Sequence, residues 1–151
     1  MKQELRLSGT GGQGLILAGI ILAEAALLDG KLAIQSQSYG PEARGGSSKS
    51  EVMISEEAIH FPKVTEPNLL LAMSQEAANK YSTDLSPESI LVTDSLFVSK
   101  LPAHTGKIYE LPITHSAKEI LGKALFLKGE FFCLYKFTKK LCLYLHSFFG
   151  C

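Results

Sequence analysis

The stretch "ELRLSGTGGQGLILAGIILAEAALLDG", Glu4 to Gly30, decides how the chain is read. Residues Glu4 to Ser8 alternate, with Leu5 and Leu7 sharing a face, which predicts a strand. A glycine cluster, Gly9-Thr10-Gly11-Gly12-Gln13-Gly14, follows at once. Leu15 to Leu28 is then apolar and alanine-rich, with Glu24 its only charge, and predicts a largely buried helix. Asp29-Gly30 ends it, with Gly30 as the capping glycine. Strand, glycine turn and helix in immediate succession is the opening unit of an α/β domain.

Working outward, Leu32 to Gln37 predicts a second strand and Glu51 to Ser55 another, with Val52 and Ile54 on one face. Leu69 to Met73 reads as a central strand. Ser74 caps a helix that runs to about Tyr81. Ile90 to Thr93 and Lys107 to Leu111 are further strands, and Thr114 or Ser116 opens a helix through Leu125. Strands alternating with helices predict a three-layer α/β/α domain around a mostly parallel or mixed sheet.

The chain's 151 residues suit one such domain. Lysine plus arginine equals aspartate plus glutamate, at 15 each, which argues against a nucleic-acid partner. No basic leader precedes a long apolar core, and no apolar run reaches the ~18 residues of a membrane span. A cytoplasmic protein with no membrane contact is the expectation.

The three cysteines, Cys133, Cys142 and Cys151, all fall late, and no pair has the spacing of a metal or cluster clip. They read as small packed hydrophobes. His60, His104, His115 and His146 are scattered without ligand spacing. Asp94-Ser95 lacks a nucleophile elbow, and Asp94 at a strand end reads as a turn cap. No nucleophile–base pair is visible, so a self-contained hydrolase is not expected.

The glycine cluster carries the chemistry. Free N–H groups at a helix start, with the helix dipole, favour an anion. Gly9, Gly11 and Gly14 satisfy G-x-G-x-x-G, a weak signal by itself. The second strand lacks the acid, ~20 residues on, that a dinucleotide ribose would need. No Lys-Ser or Lys-Thr follows the glycines, which excludes a P-loop. Spacing leaves two readings open, a ligand-free turn or an anion site.

A second loop, "SYGPEARGG", Ser38 to Gly46, bears on that choice. If the first two strands are parallel neighbours, both loops share one edge of the sheet. Arg44 then offers a bidentate fork to phosphate or carboxylate, and Tyr39 a ring and a hydroxyl. The competing reading for Arg44 is an ion pair with Glu42 or Glu51.

Together, "GTGGQGLILAGIILAEAA" and "SQSYGPEARGGSSKSEVMIS" resemble the gamma subunit of the 2-oxoacid:ferredoxin oxidoreductases. The resemblance covers about Lys2 to Leu125 and is strongest to the 2-oxoglutarate type, with pyruvate, branched-chain and indolepyruvate relatives close behind. It implies a non-autonomous subunit that helps form the coenzyme A interface of its complex. Thiamine diphosphate, magnesium and iron–sulfur clusters would belong to partner alpha and beta subunits, with delta a further candidate and ferredoxin reached through the complex. The motif positions carried over are Gly11, Gly12, Gln13 and Gly14, then Tyr39, Gly40, Arg44, Gly45 and Gly46. The alternatives are a free-standing nucleotide- or coenzyme-binding protein and a non-functional fragment.

Residues 126–151 depart from the family pattern. They hold six of the eight phenylalanines and every cysteine, and fit neither strand alternation nor a clean helical stripe. An unusual aromatic helix and the product of a reading-frame change or truncation both remain open for this segment.

Overall fold

A computed structural model describes residues 2–38 and 47–121. The elements run β1 (Lys2–Thr10), α1 (Leu15–Leu28), β2 (Leu32–Ser38), β3 (Ser47–Ser55), β4 (Leu69–Ala72), α2 (Gln75–Tyr81), β5 (Ile90–Asp94), β6 (Lys107–Leu111) and α3 (Ile113–Leu121). The strands form one sheet in the order β2-β3-β1-β4-β5-β6. β1, β4, β5 and β6 pair in parallel, whereas β3 is antiparallel to both β1 and β2. The sheet is therefore mixed, and β1 and β2 are not neighbours as the sequence reading supposed. The segment between β2 and β3 is too short for a crossover helix, so the chain returns antiparallel. β3 takes the place beside β1.

Helices cover both faces. On one, Leu15, Ala18 and Leu22 of α1 and Ile113 of α3 pack with Leu5, Leu7, Val52, Leu69, Leu71 and Val92. On the other, Ala78 of α2 packs with Leu70, Ala72, Leu91 and Val98. This is the expected three-layer arrangement. β4, apolar at all four positions and buried throughout, has the continuous pattern of a strand covered on both sides.

α1 departs from expectation. It is apolar all round, yet only Leu15, Ala18, Gly19, Leu22 and Ala26 are buried. Leu27 and Leu28 are 55% and 89% exposed. Composition predicted a buried helix, but a helix on an outer layer has one face to bury. Its end is as expected. The Gly30 N–H donates to Leu27 O and the Lys31 N–H to Ala26 O, both at 3.0 Å, in a Schellman cap.

The Ser74 hydroxyl accepts from the Ala77 N–H at 3.2 Å, capping α2 as predicted. Among the described residues, no helix is long and apolar enough to cross a membrane. Residues 126–151, including all three cysteines, lie outside the described residues.

Candidate functional site

The site begins where β1 runs out. Thr10 ends the strand, Gly11 to Gln13 turn, and Gly14 starts α1 as its N-cap. Gly12 and Gly14 hold φ of 87° and 72°, left-handed values that side chains resist. Among the described residues, no side chain caps α1, and no acid lies in its first turn. The positive end of the helix dipole therefore meets no carboxylate from its own turn. Among the described residues, Gly11 and Gly12 are exposed, and a Cβ built on either would meet nothing within 4 Å. The backbone at these two glycines can be approached closely from outside.

Gln13 faces inward. Its Oε1 accepts the Thr10 N–H at 2.8 Å, and its Nε2 donates to Met73 O at 3.0 Å, just past β4. Its carboxamide thus ties the loop to the ends of β1 and β4. That brace also explains Gly9, where a Cβ would collide with Gln13 Oε1 and press on Leu15 Cδ1 and Met73 Cβ at 3.0 Å each. The carried-over motif placed Gln13 with the ligand-binding residues; its carboxamide is engaged by the chain's own backbone.

The second loop leaves from Ser38 and returns at Ser47. The register sets Ser47 opposite Thr10 and Ser38 opposite Lys49. β1 and β2 run in the same direction with β3 between them, so the ends of both loops sit on one edge of the sheet. The premise of adjacency fails, but the shared edge holds. Tyr39, Gly40, Arg44, Gly45 and Gly46 lie outside the described residues. Of the two competing partners of Arg44, Glu51 accepts through Oε1 from Arg6 Nε at 2.8 Å and from Lys49 Nζ at 2.9 Å, and Glu42 lies outside the described residues.

Asp94 is buried and caps, as expected. Its Oδ1 accepts the Leu96 N–H at 2.9 Å, and its Oδ2 takes both the N–H and the hydroxyl of Thr114 at the start of α3. His104 Nε2 bonds Ser89 O at 2.9 Å, and His115 lies 3.5 Å from Glu119 on the next turn. His60 belongs to no such group, and His146 lies outside the described residues. Among the described residues, no three His, Cys, Asp or Glu side chains gather as a metal would require.

Reading from sequence missed the buried Arg6–Glu51 pair. Its signal was present: opposite charges at alternate positions of two strands, across from apolar neighbours.

The sequence pattern of the pyruvate ferredoxin/flavodoxin oxidoreductase family matches residues 4–128. The chain belongs to this family. A relative from Methanocaldococcus jannaschii, 2-oxoglutarate synthase subunit KorC, is 52% identical over 122 residues. That match takes in 79% of this chain but 65% of KorC, so the chain spans slightly under two thirds of that family member. The gamma subunit of a keto/oxoacid ferredoxin oxidoreductase from Geobacter sulfurreducens superposes with a TM-score of 0.75 at 47% identity, covering 86% of this chain and 70% of that one. The 2-oxoglutarate:ferredoxin oxidoreductase of Magnetococcus marinus, solved with 2-oxoglutarate, coenzyme A and succinyl-CoA, shares the fold. It superposes with a TM-score of 0.73 at 22% identity, covering 85% of this chain and 22% of that larger one.

Proposed function

We propose that the chain is the gamma subunit of a 2-oxoacid:ferredoxin oxidoreductase with 2-oxoglutarate as its favoured substrate. The complex would convert a 2-oxoacid, coenzyme A and oxidised ferredoxin to an acyl-CoA, carbon dioxide and reduced ferredoxin. This chain would contribute no catalytic group. Thiamine diphosphate, magnesium and the iron–sulfur clusters would sit in alpha, beta and delta partners, in the cytoplasm. Identity to KorC supports both the subunit role and the choice of 2-oxoglutarate.

The observation that carries the site is the open backbone at Gly11 and Gly12 ahead of an uncapped helix start. A phosphate of coenzyme A fits there, held by N–H groups and the dipole. Gly14 supplies the turn and Gln13 the brace. Tyr39, Gly40, Arg44, Gly45 and Gly46 would close on the ligand from the other loop, with Arg44 forking onto a phosphate. A charge-assisted contact of this kind is worth ~1.5–3 kcal/mol, enough for more than tenfold in affinity.

The test is reconstitution with the partner subunits. Arg44→Ala should raise the KM for coenzyme A more than tenfold. An assembled Arg44→Ala enzyme with unchanged coenzyme A dependence refutes the contact, and failure to assemble assigns the loop to the subunit interface instead. Faster turnover of pyruvate than of 2-oxoglutarate by the wild-type complex overturns the substrate.

A further inference from the structure

On the sheet face that α2 covers, three cations converge on one ring. The heads of Arg6, Lys49 and Lys80 lie 5.7, 5.9 and 5.4 Å from the centroid of Tyr81. Arg6 is only 5% exposed. Its Nε and the Lys49 ammonium both donate to one oxygen, Glu51 Oε1. Lys80 Nζ donates to Ser47 Oγ at 3.3 Å, and that hydroxyl lies 3.4 Å from the Tyr81 hydroxyl.

Among the described residues, the charges in this cluster do not cancel, and Glu51 is its one buried carboxylate. Asp84 stands 3.9 Å from Arg6 Nη1, with a side chain 63% exposed. The face of Tyr81 offers a cation only a weak attraction. Among the described residues, the buried Arg6 Nη1 has no hydrogen-bond acceptor. A guanidinium N–H held out of water ordinarily has one. The bland reading, an Arg6–Glu51 structural pair, explains Nε but leaves Nη1 with only the exposed Asp84 carboxylate at 3.9 Å and no hydrogen-bond acceptor among the described residues.

We propose that this cluster is an oxyanion site for the phosphate or carboxylate group of a small molecule. Arg6 Nη1, Lys49 Nζ and Lys80 Nζ are its donors, with the Ser47 and Tyr81 hydroxyls beside them. A tetrahedral or planar oxyanion presents several acceptor oxygens, which suits donors arriving from two strands and a helix. The donors lie on the face that α2 covers, near where the two loops end. Ser47 pairs with Thr10, so both lie toward one edge of the sheet, but α1 starts over the opposite face. The inference rests on this geometry and does not require the proposed coenzyme A contact.

The experiment is calorimetric titration of the full chain with inorganic phosphate and with acetate at constant ionic strength. Saturable binding of one or both is expected, weakened at least tenfold in Lys49→Gln and in Lys80→Gln and unchanged in Lys63→Gln on the remote surface. Lys80 is exposed at the end of α2, so Lys80→Gln keeps the fold and decides the matter if Lys49→Gln does not. Competition between coenzyme A and phosphate would identify the oxyanion as the coenzyme's, and its absence would identify a separate ligand. No saturable binding of either anion, or equal affinity in Lys80→Gln and wild type, overturns the proposal.

Discussion

Gln13 and Arg6 show how much one side chain can settle. Gln13 is the brace on which the glycine turn depends, because its two hydrogen bonds join backbone groups of β1 and of the β4 end. Gln13→Leu leaves a partly buried N–H and C=O unpaired at ~1–3 kcal/mol in total, since loop water reaches them in part. We expect a fall in the urea midpoint of that size and a higher coenzyme A requirement in the complex, with Gln13→Glu restoring the Thr10 bond but not the Met73 one. An unchanged midpoint in Gln13→Leu would deny the brace. Arg6 and Glu51 behave differently, because removing one member strands a buried charge. Glu51→Leu should cost ~3–5 kcal/mol, and Arg6→Met combined with Glu51→Leu should cost less than Glu51→Leu alone. A double-mutant cycle from urea denaturation measures this, and additive losses would show that the pair is not coupled.

At the scale of the element, α1 is set by what it touches rather than by its composition. Gly19 allows the helix to lie against β3, where a Cβ would run into Ser50 Oγ and come within 3.3 Å of Val52 Cγ2. Gly19→Val should therefore force the helix outward and cost ~1–3 kcal/mol, despite replacing a poor helix former. Leu28→Gln, on the open side of the same helix, should change the stability of the isolated chain by less than ~0.5 kcal/mol. Urea midpoints of the two variants check the contrast, and equal losses would mean that α1 is buried all round. α2 owes its start to one hydroxyl, so Ser74→Ala should cost ~1 kcal/mol by the same measurement.

For the whole molecule, the proposed function requires partners. The isolated chain should reduce no acceptor with any 2-oxoacid, and turnover should appear only when the other subunits are added. Activity from the chain alone would sink that reading. What the sequence by itself determined is local. Short apolar runs and alternation marked β4, β5 and β6, and propensity and glycine signals marked both ends of α1, because these act between near neighbours. Ser74 and Gly30 were legible for the same reason, and so was the turn that carries Gly11 to Gly14. The paired glycine motifs also disclosed the family. Only the tertiary structure decided that β3 lies between β1 and β2, since strand order depends on long-range pairing that no local pattern encodes. It alone showed that one side of α1 faces outward, that Gln13 turns in to hold the loop, and that Arg6 meets Glu51 45 residues away inside the sheet. Each of these follows from which surfaces the folded chain brings together, and a residue's type does not specify its neighbours across the sheet.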